Sequence, residues 1–408
     1  MTTDANTYQG LEPGHPDYKR AVLALLAAGL ATFNALYTTQ AILPTLSQAL
    51  GASATTAAGT VSAATGALAL CIVPASILSE RFGRNRVMMV STVASTVVGL
   101  LVPLAPNIET LIVLRGLQGA MLSGVPAVAM TWLSEELSQK AAPRAMGLYI
   151  AGTSIGGLSG RIIPAVVAEF FSWRVALFAG CFTAFACAAA MWKMLPQQRR
   201  FTPKKLSFAG EAAAMLGHWR HPKTAAIFAM GFVSMGAFVS MYNYLGYELS
   251  TTFGLSEGVV GSVFVLYLSG TISSARAGNL SGRFGPSVVL LFSVSLMLVG
   301  LLLTLSGHLS VVIVGLLIYT ASFFATHSTA SGWLGQVATK DRAEASSMYL
   351  LCYYTGSAVV GWLAGFVFGD DRWGLLVAAL SLLVGVGILI AFLLWFFGRK
   401  RHGAHQPR

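Results

Sequence analysis

Arg115, Arg161 and Arg276 each stand inside a long apolar run, and no Asp or Glu occupies the middle of any such run. A charge at membrane depth costs about 2.5–3.5 kcal/mol on insertion scales, so each arginine needs a reason. Arg115 and Arg161 lie at similar depth, roughly 9–12 Å from the outer ends of their runs at about 1.5 Å per residue. Two such guanidiniums without a buried carboxylate repel each other and bear a full desolvation cost. A visiting carboxylate, phosphate or enolate would be held by the planar fork of each. Arg276 is near the inner end of its run, where a long side chain can snorkel to the surface.

Neutral polar residues accompany these cations. The stretch "FNALYTTQAILP" carries Asn34, Tyr37 and Gln40, and "FVSMYNYLGYE" carries Tyr242, Asn243 and Tyr244; Gln118 follows Arg115 by three residues. They are expected to face a cavity and contact a solute. Helix-to-helix hydrogen bonding is the alternative for any one of them. His327, in "FFATHSTASGW", could titrate near neutral pH or serve as a packing histidine.

The elements that must position these residues are membrane helices. The chain is 55% hydrophobic and 10% charged, against about 25% charged residues in soluble domains. Twelve apolar runs approach the ~20 residues that cross a bilayer: 20–47, 56–78, 86–105, 109–134, 144–168, 174–195, 223–251, 257–280, 286–306, 310–334, 343–368 and 373–398. Lipid cannot satisfy open backbone groups, so helices are required. The expected fold is therefore an all-α membrane protein of twelve transmembrane helices. The first eighteen residues lack the apolar core of a signal peptide and read as a disordered tail.

Of the 26 Lys and Arg, the three above lie inside runs and Arg174 and Arg372 lie in the outer gaps. The other 21 lie in gaps and termini on one side, as the positive-inside rule demands of the cytoplasmic face. Both termini are thus expected in the cytoplasm of a bacterial inner membrane. The net charge of +11 reflects this asymmetry and not a nucleic-acid surface. The longest gap, 196–222, is basic and divides the chain into a tail (1–19), six spans (20–195), the linker, six spans (223–398) and a second tail (399–408). Cys71, Cys181, Cys187 and Cys352 lie inside runs without a C-x-x-C and read as packing residues.

The halves repeat. "SERFGRNRV" around Gly83 returns as "SGRFGPSV" around Gly285, Tyr149 and Gly156 match Tyr349 and Gly356, Trp132 matches Trp333, and "FSWR" matches "DRWG" at 371–374. Offsets of 200 to 202 point to one six-span unit used twice.

"SILSERFGRNRV" resembles the G-x-L-x-D-R-x-G-R-[KR] signature between spans two and three of the major facilitator superfamily. Leu78, Arg81, Gly83 and Arg84 match; Ser76 replaces Gly and Glu80 replaces Asp. "GNLSGRFG" is the second copy, with Gly282 in place of the acid. "LRGLQG" (Arg115–Gly119), "APRAMG" (Ala142–Gly147) and "GTSIGGLSGR" (Gly152–Arg161) resemble motifs of proton-coupled members, the last without the usual Gly-Pro. The resemblance covers residues 20–400 and is nearest to bacterial drug/proton antiporters and arabinose-efflux-type permeases.

It implies two six-helix bundles that rock about a central site. It also implies a gating latch formed by Glu80, Arg81, Gly83 and Arg84, with a weaker one at Arg283 and Gly285. Family members use the arginine at position 115 to bond backbone and span-one groups, which stands beside a coupling role. The expected solute-contacting set is Asn34, Tyr37, Gln40, Arg115, Gln118, Arg161, Tyr242, Asn243 and His327. The expected activity is export of a small organic molecule against inward proton flow, by a monomer without a cofactor. Uptake or exchange of an organic anion is the alternative. No H-E-x-x-H, G-x-S-x-G or G-x-x-x-x-G-K-[ST] occurs, which argues against the corresponding hydrolases and against ATP drive from this chain.

The charge asymmetry makes a direct prediction. Reporter fusions at Arg200 and Arg401 give cytoplasmic signals and a fusion at Ser172 an external one; a periplasmic signal at Arg200 would break the six-plus-six scheme.

Overall fold

The computed structural model describes residues 10–203, 208–369 and 372–403. Residues 1–9 and 404–408 of the expected tails, 204–207 of the expected linker and Asp371 of the repeat lie outside the described residues.

Twelve helices among the described residues are long and apolar enough to span a membrane. Spans one to six are Pro16–Leu50, Ala54–Phe82, Arg84–Leu104, Ile108–Glu136, Arg144–Phe170 and Trp173–Met194. Spans seven to twelve are Pro222–Phe253, Glu257–Phe284, Pro286–Leu303, Leu309–Val337, Arg342–Phe368 and Trp373–Phe397. Packing follows the repeat: span one lies on five and six and span two on four, just as seven lies on eleven and twelve and eight on ten. Between the halves, span two runs along eleven and span five along eight. These two seams exchange under the operation that relates the halves.

The Gly83 and Gly285 turns are local twins. Gly83 has φ 93° and ψ 144°, Gly285 φ 86° and ψ 146°. Each closes one helix and opens the next: Gly83 N–H donates to Ser79 O and Gly285 N–H to Ser281 O, both at 3.0 Å. A positive φ disfavours any side chain with a Cβ, which is why both copies keep glycine.

Span five packs on span one through a stripe of small residues at helical spacing. A Cβ at Gly152, Gly156 or Gly160 would stand 2.5, 2.6 or 2.3 Å from the carbonyl oxygens of Leu26, Leu30 and Asn34. Backbones can approach this closely only without side chains, the usual device of membrane helix pairs. Gly356 repeats it, 2.2 Å from Phe232 O. The Gly-rich stretch that resembles an antiporter motif thus acts here as a packing groove.

One sequence expectation needs correction. Residues 10–18 are not a loose tail: Leu11 is 4% exposed, and its N–H donates to Glu136 O while its carbonyl accepts from Ser138 N–H. Leu11 joins a cluster with Trp132, Leu133 and Leu137, so burial of its side chain outweighs the polar composition around it. The linker also contains a helix, Phe208–Gly217, followed by a 3-10 turn, His218–Arg220.

Span one is interrupted. Its helix stops at Tyr37, a 3-10 turn covers Gln40–Ile42, and a short helix resumes over Leu43–Leu50 with Pro44 in its first turn. Proline supplies no N–H, so the ladder cannot pass through unbroken. Span eight is interrupted in the same manner at Phe264–Leu266. Span seven, the counterpart of span one, is continuous over Pro222–Phe253.

The groove generates a stability prediction. Gly156→Val forces a branched side chain against Leu30 O and should cost about 1–3 kcal/mol or more, as overpacking does. Gly147→Ala, on the same helix with nothing within 4 Å of the added carbon, leaves stability within a few tenths of a kcal/mol or raises it. Melting temperatures of the two purified variants check this; equal melting would remove the packing role.

Candidate functional site

The break in span one decides what its neighbours do. A helix that ends leaves carbonyls without intrahelical partners. Asn34 O accepts from the Thr38 hydroxyl at 2.7 Å. Ala35 O accepts from Arg115 Nη1 at 2.7 Å, and Leu36 O from Arg115 Nη2. Arg115 Nε reaches Thr60 O at 3.4 Å, and Nη1 also donates to Gln118 Oε1. A cation at a helix C-terminus is favoured by the aligned dipoles as well as by these bonds. Arg115 is 1% exposed and Gln118 2%. Both are inside the first bundle and off the interface between halves. Of the two readings of Arg115, the backbone one matches the contacts it makes here, and Gln118 is engaged with it.

Asn34 is likewise engaged inside the first bundle. With its amide nitrogen toward Gly180 O (2.8 Å), its oxygen accepts from the Ser159 hydroxyl (2.9 Å) and from Gly160 N–H (3.1 Å). It ties span one to spans five and six.

Arg161, 2% exposed, occupies the interface itself. Its Nε donates to Gln40 Oε1 at 2.7 Å and Nη1 to Gly157 O at 2.6 Å. The guanidinium carbon stands 3.9 Å from the ring centre of Tyr37, 4.5 Å from Tyr267 and 5.4 Å from Phe264. Tyr37 comes from the first half; Phe264 and Tyr267 come from the second, Phe264 opening the 3-10 break in span eight and Tyr267 directly following it. A ring contact of this kind is worth about 0.5–1 kcal/mol when exposed and about 2 kcal/mol or more when desolvated. Among the described residues no carboxylate pairs with Arg161.

Gln40 carries the contact across. While its oxygen holds Arg161, its amide nitrogen donates to Asn243 Oδ1 of span seven at 2.7 Å. Among the described residues Asn243 Nδ2 and the Tyr267 hydroxyl are buried without a partner, as is the Ser62 hydroxyl. The last of these lies close to Asn243, since a Cβ at Gly361 would touch Asn243 Nδ2 at 3.3 Å and Ser62 Oγ at 3.4 Å. Unsatisfied buried donors beside an uncompensated cation mark a place where a ligand can supply acceptors.

The other expected residues sit inside the second bundle. The Tyr242 hydroxyl pairs with Thr320 Oγ1 at 2.6 Å. His327 Nδ1 lies 2.9 Å from the Tyr349 hydroxyl, with its ring 4.6 Å from Tyr353. Stacked rings connect these two sites, Tyr242 to Phe238 at 5.0 Å, Phe238 to Phe323 at 3.7 Å and Phe323 to His327 at 6.3 Å. Tyr267, Phe264 and Tyr353 were not singled out in the sequence. An aromatic hydroxyl in the polar-poor run "VFVLYLSG" was the available signal for Tyr267.

The halves are joined beyond this site, at the end opposite the Gly83 turn. Thr45 Oγ1 donates to Glu257 Oε1, the Ser47 and Tyr247 hydroxyls lie 2.6 Å apart, Tyr247 also donates to Leu43 O, and Gly258 N–H donates to Glu169 Oε2 at 2.7 Å. That end is closed by hydrogen bonds.

At the Gly83 end, Arg84 instead binds within its own half. It pairs with Glu135 at 3.1 Å and Glu80 at 3.8 Å, donates to the Ser79 hydroxyl, and receives Gln198 Oε1 on its backbone N–H at 3.0 Å. Glu136 accepts the N–H groups of Arg199 and Arg200 at 2.9 and 2.8 Å. Arg81 and Arg283 are exposed, each over the ring of its neighbouring phenylalanine. The second copy has Gly282, Pro286 and Gln336 where the first has Glu80, Arg84 and Glu135, so it cannot build the same corner.

The twelve-span fold is shared by known proteins. The family model of the Major Facilitator Superfamily matches residues 24–275 and 240–408. The inner membrane transport protein YnfM of Escherichia coli (strain K12) is 41% identical over 94% of this chain and 92% of its own. The uncharacterized MFS-type transporter YybF of Bacillus subtilis (strain 168) is 32% identical over 97% of each. In fold, the chain is similar to a bacterial homolog of the human lysosomal transporter Spinster in an inward-facing, occupied conformation. The TM-score is 0.74, with 12% identity over 93% of this chain and 97% of that one. It is also similar to the nucleoside transporter NupG, with a TM-score of 0.73 and 13% identity over 93% and 99%. The chain is therefore a multi-pass membrane transporter and belongs to the Major Facilitator Superfamily.

Proposed function

We propose that this transporter exports a small organic solute bearing a carboxylate, another acidic group or several hydroxyls, in exchange for protons. The proton gradient supplies the energy, the protein works as a monomer, and it lies in the bacterial inner membrane with both termini in the cytoplasm. The Lys and Arg asymmetry supports that orientation. Resemblance of the motifs around Arg115, Ala142–Gly147 and Gly152–Arg161 supports proton coupling and export.

The observation that carries the substrate class is Arg161. It is a buried guanidinium at the seam between the halves, held by a neutral amide, one carbonyl and three ring faces, with no carboxylate paired to it among the described residues. A guanidinium has five N–H donors in a rigid fork, and a bidentate anion would complete it better than these groups do. In this conformation Gln40 and the rings cover it. When the halves part at the far end, Tyr267 and Phe264 withdraw with the second half and Gln40 loses Asn243. Arg161 is then opened to a solute, and the buried donors of Asn243 and Tyr267 complete the pocket from the other wall. Binding energy spent differently in the two states shifts their populations, which is what alternating access requires. Arg161 equally suits the second reading, uptake or exchange of an organic anion.

The test is affinity of purified variants for hits from a thermal-shift screen of sugars, organic acids and cationic drugs. Arg161→Lys replaces a planar fork by a point charge and weakens binding of the best acidic hit at least tenfold, with Arg161→Ala weaker still. Gln40→Ala changes affinity less than Arg161→Ala. Melting temperature controls for folding. Unchanged affinity in both Arg161 variants, or a quaternary cation as the best substrate, would overturn the proposal.

A further inference from the structure

The second bundle contains a large crevice that the transport reading does not use. It opens at the end that carries the Gly285 turn, between the start of span seven, the end of span ten and the last turns of span twelve. Its volume is about 1030 Å³, at the upper end of the ~300–1,000 Å³ range of ligand pockets. The wall is apolar, formed by Ala226, Val337, Ile390, Leu393, Leu394 and Phe397.

The rim has the opposite character. Lys223, Lys340 and His221 line it together with His218, whose Nε2 lies 3.1 Å from Asp341 O. Among the described residues neither Lys223 nor Lys340 forms an ion pair. Asp341 is beside this rim through its carbonyl, and among the described residues it forms no ion pair with either lysine. In the sequence Gly398 and then Arg399, Lys400 and Arg401 follow Phe397.

A cationic rim over an apolar crevice, at the depth where three spans end, fits a molecule with an anionic head and a hydrocarbon tail. We propose that this crevice binds a glycerophospholipid with an anionic headgroup, drawn from the leaflet at that end. The phosphate engages Lys223 and Lys340, and an acyl chain enters against Leu393, Leu394 and Ile390. Basic groups at a span end attract anionic lipid headgroups in general; here an apolar crevice behind them adds a place for the chain. Occupancy would brace spans seven, ten and twelve against one another without touching Arg161.

The experiment uses the full-length protein purified in mild detergent. Native mass spectrometry and melting temperature are read during titration with phosphatidylglycerol, phosphatidylcholine, or inorganic phosphate alone. The expected result is saturable binding of phosphatidylglycerol, accompanied by a rise in melting temperature, at least fivefold tighter than phosphatidylcholine. Lys223→Gln with Lys340→Gln weakens it at least fivefold, whereas Lys140→Gln, a basic change on the first bundle, does not. Ala226→Trp, which fills the crevice, abolishes the high-affinity binding while gel filtration reports folded protein. Equal binding of the two lipids, equal effects of the Lys223/Lys340 and Lys140 variants, or full competition by inorganic phosphate alone would overturn the proposal. If Ala226→Trp misfolds, the lysine pair decides.

Discussion

The break in span one at Tyr37 is the constraint on which the site depends. A membrane interior offers no water to the carbonyls that a broken helix releases, and each unsatisfied one would cost several kcal/mol. Thr38 takes one and Arg115 takes two. The charge that looks so costly in the sequence is thus the group that makes the break tolerable. Pro44 prevents the helix from closing the gap. Once the chain departs from helical geometry, Gln40 can aim one end at Arg161 and the other at Asn243. A continuous helix could not easily present one side chain to both halves at this seam.

This also explains why the two halves are alike in packing and different in chemistry. The glycine-lined contacts of span five on one and of span eleven on seven obey the repeat, and so do the positive-φ turns at Gly83 and Gly285. Such features serve only to bring backbones together, which both bundles need. Span seven, in contrast, is unbroken, and Thr320, Phe238 and Tyr267 surround Tyr242 where the first half has carbonyls and arginines. The repeat supplies the scaffold, and the site arises where it fails.

Spans and the repeat were legible in the sequence because they rest on period, length and composition. The predicted run 257–280 differs from Glu257–Phe284 only at its end. Arg161, Gln40 and Asn243 were legible as polar groups at membrane depth, which is rare and costly. Their grouping was not, because it depends on the 3-10 breaks at Gln40 and Phe264, and no local signal fixes how a side chain swings after such a turn. Asn34, Arg115 and Gln118 have the same composition signal but make their contacts within the first bundle, so polarity alone could not separate them. Leu11 failed for the reverse reason: one apolar residue in a polar tail carries no periodicity, yet a preformed cluster at the end of span four receives it.

The closed end of the bundles can be weighed against what transport requires. Gln40–Asn243, Thr45–Glu257, Ser47–Tyr247, Tyr247–Leu43 and Glu169–Gly258 are hydrogen bonds that cross the seam. At a net ~0.5–1.5 kcal/mol each, they hold the end shut with a few kcal/mol. Reversing a 1:99 population to 99:1 takes about 5.5 kcal/mol of differential binding, so a solute that completes Arg161 competes on the same scale as the closure it must undo. A hydrophobic seam of similar area would have no such balance, because parting it would expose apolar surface without releasing groups that a polar solute can satisfy. Hydrogen-bonded donors and acceptors can change partners from protein to solute at nearly constant number. That exchange is the physical reason for a moving seam to be polar, and for Arg161, without a carboxylate partner among the described residues, to stand within it.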